Sequence, residues 1–194
     1  MDITKPSSLP LVPLFDADYQ FTFDELLAQL AQTKKPLSLP SIRFVLENLA
    51  LGDEQISTLS SFTSDTYCRK RLFKNECCEI LILSWLNGQR SKIHDHKHTS
   101  CGVRVLNGEA TETTFDTAAN GHIYATQSSL FAEGSVTASK DDDIHQISNL
   151  QCDDKPLVTL HIYSPPLHQF NIYSLEDGKV TLLDMLEDSL IYEI

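Results

Sequence analysis

Apolar residues recur with a helical period over the first third of the chain and with a strand period beyond it. Between Thr22 and Gln32, Phe23, Leu26, Leu27 and Leu30 fall on one face of a helix, and Thr22 with Glu25 has the spacing of a capping box. Lys34-Lys35-Pro36 closes that segment. A second helix is predicted from Pro40 to Leu51, with Ile42, Val45, Leu46, Leu49 and Ala50 as its apolar stripe and Gly52 just past its end. Asp53 to Phe62 reads as a short third helix. Stripes of this kind are core packing, not cofactor contacts. Residues 1–21 are Pro-rich and are expected to run along the surface.

From residue 65 the pattern changes. TYCRKRLF, CCEILILSWL, SKIHDH, CGVRVLNG, EATETTFD, HIYATQ, SLFAEGSVTAS, DIHQIS, KPLVTLHIYS and FNIYSL are short segments set apart by Gly, Asn, Asp and Pro. Several alternate or are rich in β-branched residues, which predicts an antiparallel sandwich or barrel. Asn107-Gly108 and Asp177-Gly178 are tight-turn dipeptides. With no internal repeat, the expectation is one composite domain of 194 residues. It comprises a helical lead-in (1–62), a β-barrel (63–175) and a C-terminal extension (176–194).

Charge narrows the classes of partner. The net charge of −12, from 15 Lys+Arg against 27 Asp+Glu, argues against nucleic acid and anionic membranes, both of which need a basic surface. No apolar run approaches the roughly 20 residues of a bilayer span. The stretch MDITKPSSLPLVPLFD lacks the basic start and apolar core of a secretory signal. Five cysteines (Cys68, Cys77, Cys78, Cys101, Cys152) make an odd number without a CxxC pair. That argues against a disulfide scaffold or structural zinc site and for a reducing cytoplasm.

Histidine placement carries the chemistry. His94 and His96 are two apart in a segment with strand character, so their imidazoles point one way and Asp95 the other. His98 would share their face if the strand continued, but Lys97 to Ser100 reads as a loop. His145, in DIHQISN, is about 50 residues on and suits a third metal ligand from a different barrel strand facing the first pair. His122 follows Asn120-Gly121 as a turn residue, and His168 follows Pro165-Pro166 at the surface. A second row, Thr159, His161 and Tyr163, again has a spacing of two. Hydroxyl, imidazole and phenol on one strand face can form a relay in which each group orients the next. Leu157, Val158, Leu160 and Ile162 around them indicate a strand buried on both sides, where such polar groups need mutual partners.

Together these residues resemble the cysteine dioxygenases, thiol dioxygenases of the cupin superfamily. Gly88, His94, His96 and Gly108 match the first cupin motif, and Cys101 stands where cupins generally place a glutamate ligand. The second motif is partial, with His145 and Asn149 at their spacing but without the preceding Pro and Gly. HDH…C, Arg69, His145 and LHIYSPP make the resemblance specific over about residues 40–175.

The resemblance implies a mainly β fold, a cupin double-stranded β-helix (jelly-roll) barrel with a short helical N-terminal segment. It implies iron(II) on His94, His96 and His145, and Arg69 on the substrate carboxylate, with Arg71 on the same face as the competing candidate. Cys101 and Tyr163 match a pair that can join in a thioether cross-link, and Thr159 and His161 the rest of a relay through Tyr163. Tyr67, Leu83 and Trp85 match pocket-lining positions, and Ser164-Pro165 a cis peptide. Thr159 replaces the usual serine, and Ser100 stands where well-known members have histidine. The implied enzyme is a monomer that adds both atoms of dioxygen to the sulfur of cysteine, giving cysteine sulfinic acid. Alternatives are another small thiol such as 3-mercaptopropionate, a metal-binding sensor without turnover, or a zinc or nickel cupin performing isomerisation or hydrolysis.

Overall fold

The computed structural model describes residues 20–140 and 143–185. Within them, α1 (Phe23–Ala31), α2 (Leu39–Asn48) and α3 (Asp53–Leu59) precede the strands. These are β1 (Cys68–Lys74), β2 (Glu79–Trp85), β3 (Ile93–His94), β4 (Ser100–Asn107), β5 (Glu109–Thr117) and β6 (Ile123–Ala132). They continue as β7 (Val136–Lys140), β8 (Ile144–Ser148), β9 (Leu157–Ser164), β10 (Gln169–Tyr173) and β11 (Val180–Asp184). The strands form two antiparallel sheets, ordered β1-β2-β9-β4-β7 and β11-β10-β3-β8-β5-β6. This is the mainly β, double-stranded β-helix barrel with a helical N-terminal segment that the family resemblance implies. Among the described residues no helix is long and apolar enough to cross a membrane.

The capping box at Thr22 forms as read. Glu25 Oε2 accepts from Thr22 N at 2.8 Å, and Thr22 Oγ1 accepts from Glu25 N at 3.3 Å. The second helix ends earlier than predicted. Leu49 leaves it in an extended conformation and bridges Phe21 in parallel, with Ala50 N donating to Phe21 O at 2.9 Å. Backbone pairing with Phe21 thus replaces another helical turn. Gly52 consequently starts α3, its N–H donating to Gln55 Oε1 at 3.2 Å, and does not close α2. The third helix stops at Leu59, short of Phe62.

Three strand assignments also change. Only Ile93–His94 of SKIHDH is strand. The segments HIYATQ and SLFAEG join into the single strand β6, and β7 begins after the Glu133-Gly134 turn. The hairpin across Asp177-Gly178 adds β11, which the sequence reading left inside the C-terminal extension. Of the segment expected to run along the surface, only Gln20 and Phe21 are described, and Phe21 is buried. The extension beyond Met185 lies outside the described residues.

Two apolar clusters explain why β2 and β9 read as continuous hydrophobic runs. Ile80 and Ile82 of β2, with Val158, Leu160 and Ile162 of β9, face the helices and meet Leu26, Leu30, Ile42, Val45 and Leu46. The alternate positions Leu81, Leu83 and Trp85, with Leu157 and Tyr163, face the barrel interior. Period two is intact, but both faces are covered, so neither shows polar alternation. Each such side chain contributes about 1.5–3 kcal/mol through burial. Arg104 on β4 ties the layers together, its Nη1 donating to Leu46 O at 2.8 Å and Leu49 O at 2.6 Å, carbonyls that the end of α2 leaves unpaired.

Gly102, also on β4, lies directly beneath side chains of α2. A Cβ there would lie 2.3 Å from Ile42 Cγ2 and 2.8 Å from Leu46 Cδ1. Ile42 is fully buried, and its branched Cγ2 has no free volume to move into. Gly102→Ala is expected to destabilise the protein by about 1–3 kcal/mol in denaturant titration. In the background of Ile42→Ala the same change is expected to cost less, a non-additivity of at least about 0.5 kcal/mol.

Candidate metal centre

His94 and His96 are presented by a very short strand held on both sides. β3 pairs with β10 through Ile172↔His94 and Tyr173↔Ile93, and with β8 through His94↔His145. Two residues of strand would hold a chain weakly, and Asp95 supplies the missing anchorage. Its buried carboxylate accepts from Asn171 N at 3.0 Å, Asn171 Nδ2 at 2.7 Å and Tyr173 Oη at 2.8 Å. The residue between the two histidines points away from them, as alternation requires, and fastens their strand to β10.

His145 arrives from a different strand, β8, the direct neighbour of β3. Ring centroids are 5.1 Å apart for His94–His96, 4.7 Å for His94–His145 and 4.8 Å for His96–His145. One ligand atom from each lies within 4.8 Å of the others, and all three residues are buried. Hydrogen bonds assign two of the tautomers. His94 Nδ1 lies 2.9 Å from Lys92 O, which can only accept, so Nδ1 carries the proton. His145 Nδ1 lies 2.7 Å from Glu112 Oε1, with the same consequence. Both Nε2 atoms therefore present lone pairs inward, and His145 Nε2 is 3.3 Å from His96 Nε2.

Burial holds His94 and His96 well below the usual imidazole range, with the neighbouring imidazole of His145 next in importance. Neutral imidazoles with converging lone pairs lack a positive partner of their own, and a metal ion is the group that fits them. The donor set suits a divalent first-row metal.

The same cavity is lined by Tyr67, Arg69, Leu83, Trp85, Cys101, His161 and Tyr163, each from the sequence-derived set. Arg69 is only 7% exposed, and among the described residues its Nε and Nη2 have no hydrogen-bond partner. Its Nη1 contacts the sulfur of Met185 at 3.9 Å. Arg71, the competing candidate, is exposed and outside the cavity. Tyr67 and Trp85 stack at 4.0 Å to form an aromatic wall.

Thr159 does not line the cavity but starts a directed chain of hydrogen bonds. The Trp85 indole N–H, a donor only, reaches Thr159 Oγ1 at 3.1 Å. The Thr159 hydroxyl can then donate to His161 Nε2 at 2.9 Å, leaving the proton of the neutral imidazole on Nδ1, 3.4 Å from Tyr163 Oη. Burial lowers His161 to about 3 and pushes Tyr163 well above its usual range. The Tyr163 proton is thereby the free end of the chain. Tyr163 lies opposite Cys101 in the β4–β9 register, and burial pushes the Cys101 thiol up strongly.

Comparison with known proteins places this arrangement. Residues 25–176 match the family described as Cysteine dioxygenase type I. The chain belongs to the cysteine dioxygenase type I family. "Cysteine dioxygenase type 1" of Rattus norvegicus is 27% identical over 153 residues, covering 75% of this chain and 76% of the relative. That of Homo sapiens is 26% identical over 173 residues, covering 76% and 86%. Among solved structures, a cupin superfamily protein from Desulfitobacterium hafniense is similar, with a TM-score of 0.45, 18% identity and coverage of 56% of this chain and 85% of that one.

Three histidines stay out of the centre of this cysteine dioxygenase-family chain, since His98, His122 and His168 are all exposed. Ser91, Val103 and Ile147 line the cavity without having been singled out in the sequence. Glu112 was missed as well. It shares strand parity with the interior residue Ala110, but its reach to His145 depends on the β5–β8 register, which no local pattern reveals. Gly88 and Gly108 adopt φ of +84° and +83°, and Ser164-Pro165 is cis. Asn149 is fully buried and donates to Trp85 O at 3.1 Å and Lys155 O at 2.9 Å, closing the loop between β8 and β9.

The buried histidines make stability depend on pH. His94, His96 and His161 are unprotonated when folded but bind protons in the unfolded chain below the ordinary value of 6.5. Unfolding therefore takes up protons as pH falls, and the metal-free protein is fully stabilised above that value and loses stability below it. Each histidine costs up to about 1.4 kcal/mol per pH unit. Thermal denaturation of metal-free protein is expected to show a midpoint that falls steeply between about pH 6.5 and about pH 5.5, with a shallower slope for His161→Gln. A flat profile would contradict the assignment of neutral, buried imidazoles.

Proposed function

We propose that this protein is an iron(II)-dependent cysteine dioxygenase that converts cysteine and dioxygen to cysteine sulfinic acid. The observation that carries the reading is the guanidinium of Arg69, buried with two unpartnered nitrogens in the same cavity as the three histidines. An unpaired buried cation is costly, and a substrate carboxylate relieves that cost by taking the two-pronged edge of the guanidinium. The cationic site selects a small thiol that carries an anion and disfavours one that lacks it.

His94, His96 and His145 would hold the iron. The ion supplies positions where a thiolate and dioxygen meet, and the reactivity of the oxygen. The chain's own residues do the rest. Arg69 anchors the carboxylate and so fixes where the thiol group rests. Trp85 and Tyr67 exclude water from that side of the cavity. The chain from Trp85 through Thr159 and His161 fixes the orientation of Tyr163, whose hydroxyl proton is available to an oxygen or carboxylate in the cavity. The reaction balances without another reductant, because the thiol and both atoms of one dioxygen make up the sulfinic acid.

We further propose that Cys101 and Tyr163 join through a thioether bond, with loss of two hydrogens to dioxygen as oxidant. Their pairing on adjacent strands supports this. Five free cysteines fit a reducing cytoplasm. The mass spectrum of protein exposed to cysteine, iron and oxygen is expected to show a species lighter by two hydrogens, which Cys101→Ala lacks.

The direct test is anaerobic loading with iron(II), addition of cysteine and isotopically labelled dioxygen, and mass detection of sulfinate carrying both labelled atoms. Arg69→Gln is expected to lower kcat/KM for cysteine about 10- to 100-fold, mostly through KM. Faster turnover of 3-mercaptopropionate than of cysteine would redirect the substrate assignment. Thiol binding without oxygen uptake would indicate a sensor, and no sulfur oxidation across small thiols would remove the enzyme reading.

A further inference from the structure

The three metal-facing imidazoles are not backed alike. His94 donates its Nδ1 proton to a neutral backbone carbonyl, that of Lys92. His145 donates to a carboxylate, Glu112 Oε1 at 2.7 Å. The contact is built by sheet register. Thr114 lies opposite His145 and Glu112 opposite Ile147, so the glutamate reaches diagonally along the inner face of β5 to the imidazole on β8. The His145 side chain is 5% exposed and that of Glu112 20%, so most of the carboxylate is withdrawn from water beside the ring.

A ligand set of three neutral imidazoles leaves a divalent ion with its whole charge uncompensated. Many sites of this kind place a carboxylate on the metal itself. Here a carboxylate, that of Glu112, sits one imidazole further out. A carboxylate accepting the Nδ1 proton locks the ring orientation, keeps Nε2 unprotonated and makes it a stronger donor.

We propose that Glu112 is the positioning residue of the metal centre, holding His145 in its metal-binding tautomer and supplying the anionic charge that the three histidines lack. The inference rests on the metal-centre reading above and adds a residue to it. Its two components separate by substitution. Glu112→Gln keeps an oxygen that can accept from Nδ1 but removes the charge, whereas Glu112→Ala removes both.

The test is metal binding by the full chain, stripped of metal and titrated anaerobically. Cobalt(II) is followed by its ligand-field absorption, and iron(II) by competition with a chromophoric chelator. Glu112→Ala is expected to bind each metal about 10- to 100-fold more weakly than the unsubstituted protein, and Glu112→Gln to fall between the two with a shifted cobalt spectrum. The thermal midpoint of metal-free Glu112→Gln should stay close to that of the parent. A merely structural glutamate gives the reverse, a lowered metal-free midpoint with unchanged metal affinity, and that result overturns the proposal. Because Glu112→Gln is isosteric, it carries the test even where Glu112→Ala does not fold. Failure of the unsubstituted protein to bind either metal would instead overturn the metal centre itself, which keeps the two failures apart.

Discussion

Three buried imidazoles converging on one point set the terms for everything around them. Histidines this close repel one another if charged, and burial makes charging costlier still. Something rigid must hold them together against that tendency. Asp95 does this for the first two by fastening their strand to β10, and the β3–β8 register does it for the third. The tautomers follow from partners that can only accept, and the cavity beyond is completed by a cation, an aromatic wall and a hydroxyl at the end of a hydrogen-bonded chain.

The two-layer construction explains how a barrel can afford so polar an interior. The outer face of the β1-β2-β9-β4-β7 sheet packs on the helices through Ile80, Ile82, Leu160 and Ile162, so stability is drawn largely from that layer. The inner face is then free to carry Thr159, His161 and Tyr163 on the same strand. Such a row is tolerable only because each member finds a partner, beginning with the indole of Trp85. Arg69 is the exception among the described residues, with its Nε and Nη2 left unpartnered, which supports the proposed role on a carboxylate.

Much of this was legible in the sequence because parity survives folding. His94 and His96 share a face for the same reason that Thr159, His161 and Tyr163 do, and a spacing of two is visible without coordinates. The capping box at Thr22 was equally local. His145 was identifiable only in the company of the other two, and its place on the neighbouring strand depended on strand order. What stayed hidden was set by pairing between distant segments. Leu49 leaves its helix because Phe21 offers a backbone partner, and Gly52 changes role as a result. Glu112 finds His145 along a diagonal that exists only in one register. Val180–Asp184 is too short a run, and too exposed, to announce itself as a strand.

The account is tested most directly by X-ray absorption at the iron edge of anaerobically loaded protein, before and after addition of cysteine. It predicts three imidazole nitrogens on a single iron, with a sulfur ligand appearing when cysteine is added. A first shell with fewer than three imidazoles, or no change on addition of the thiol, would contradict it.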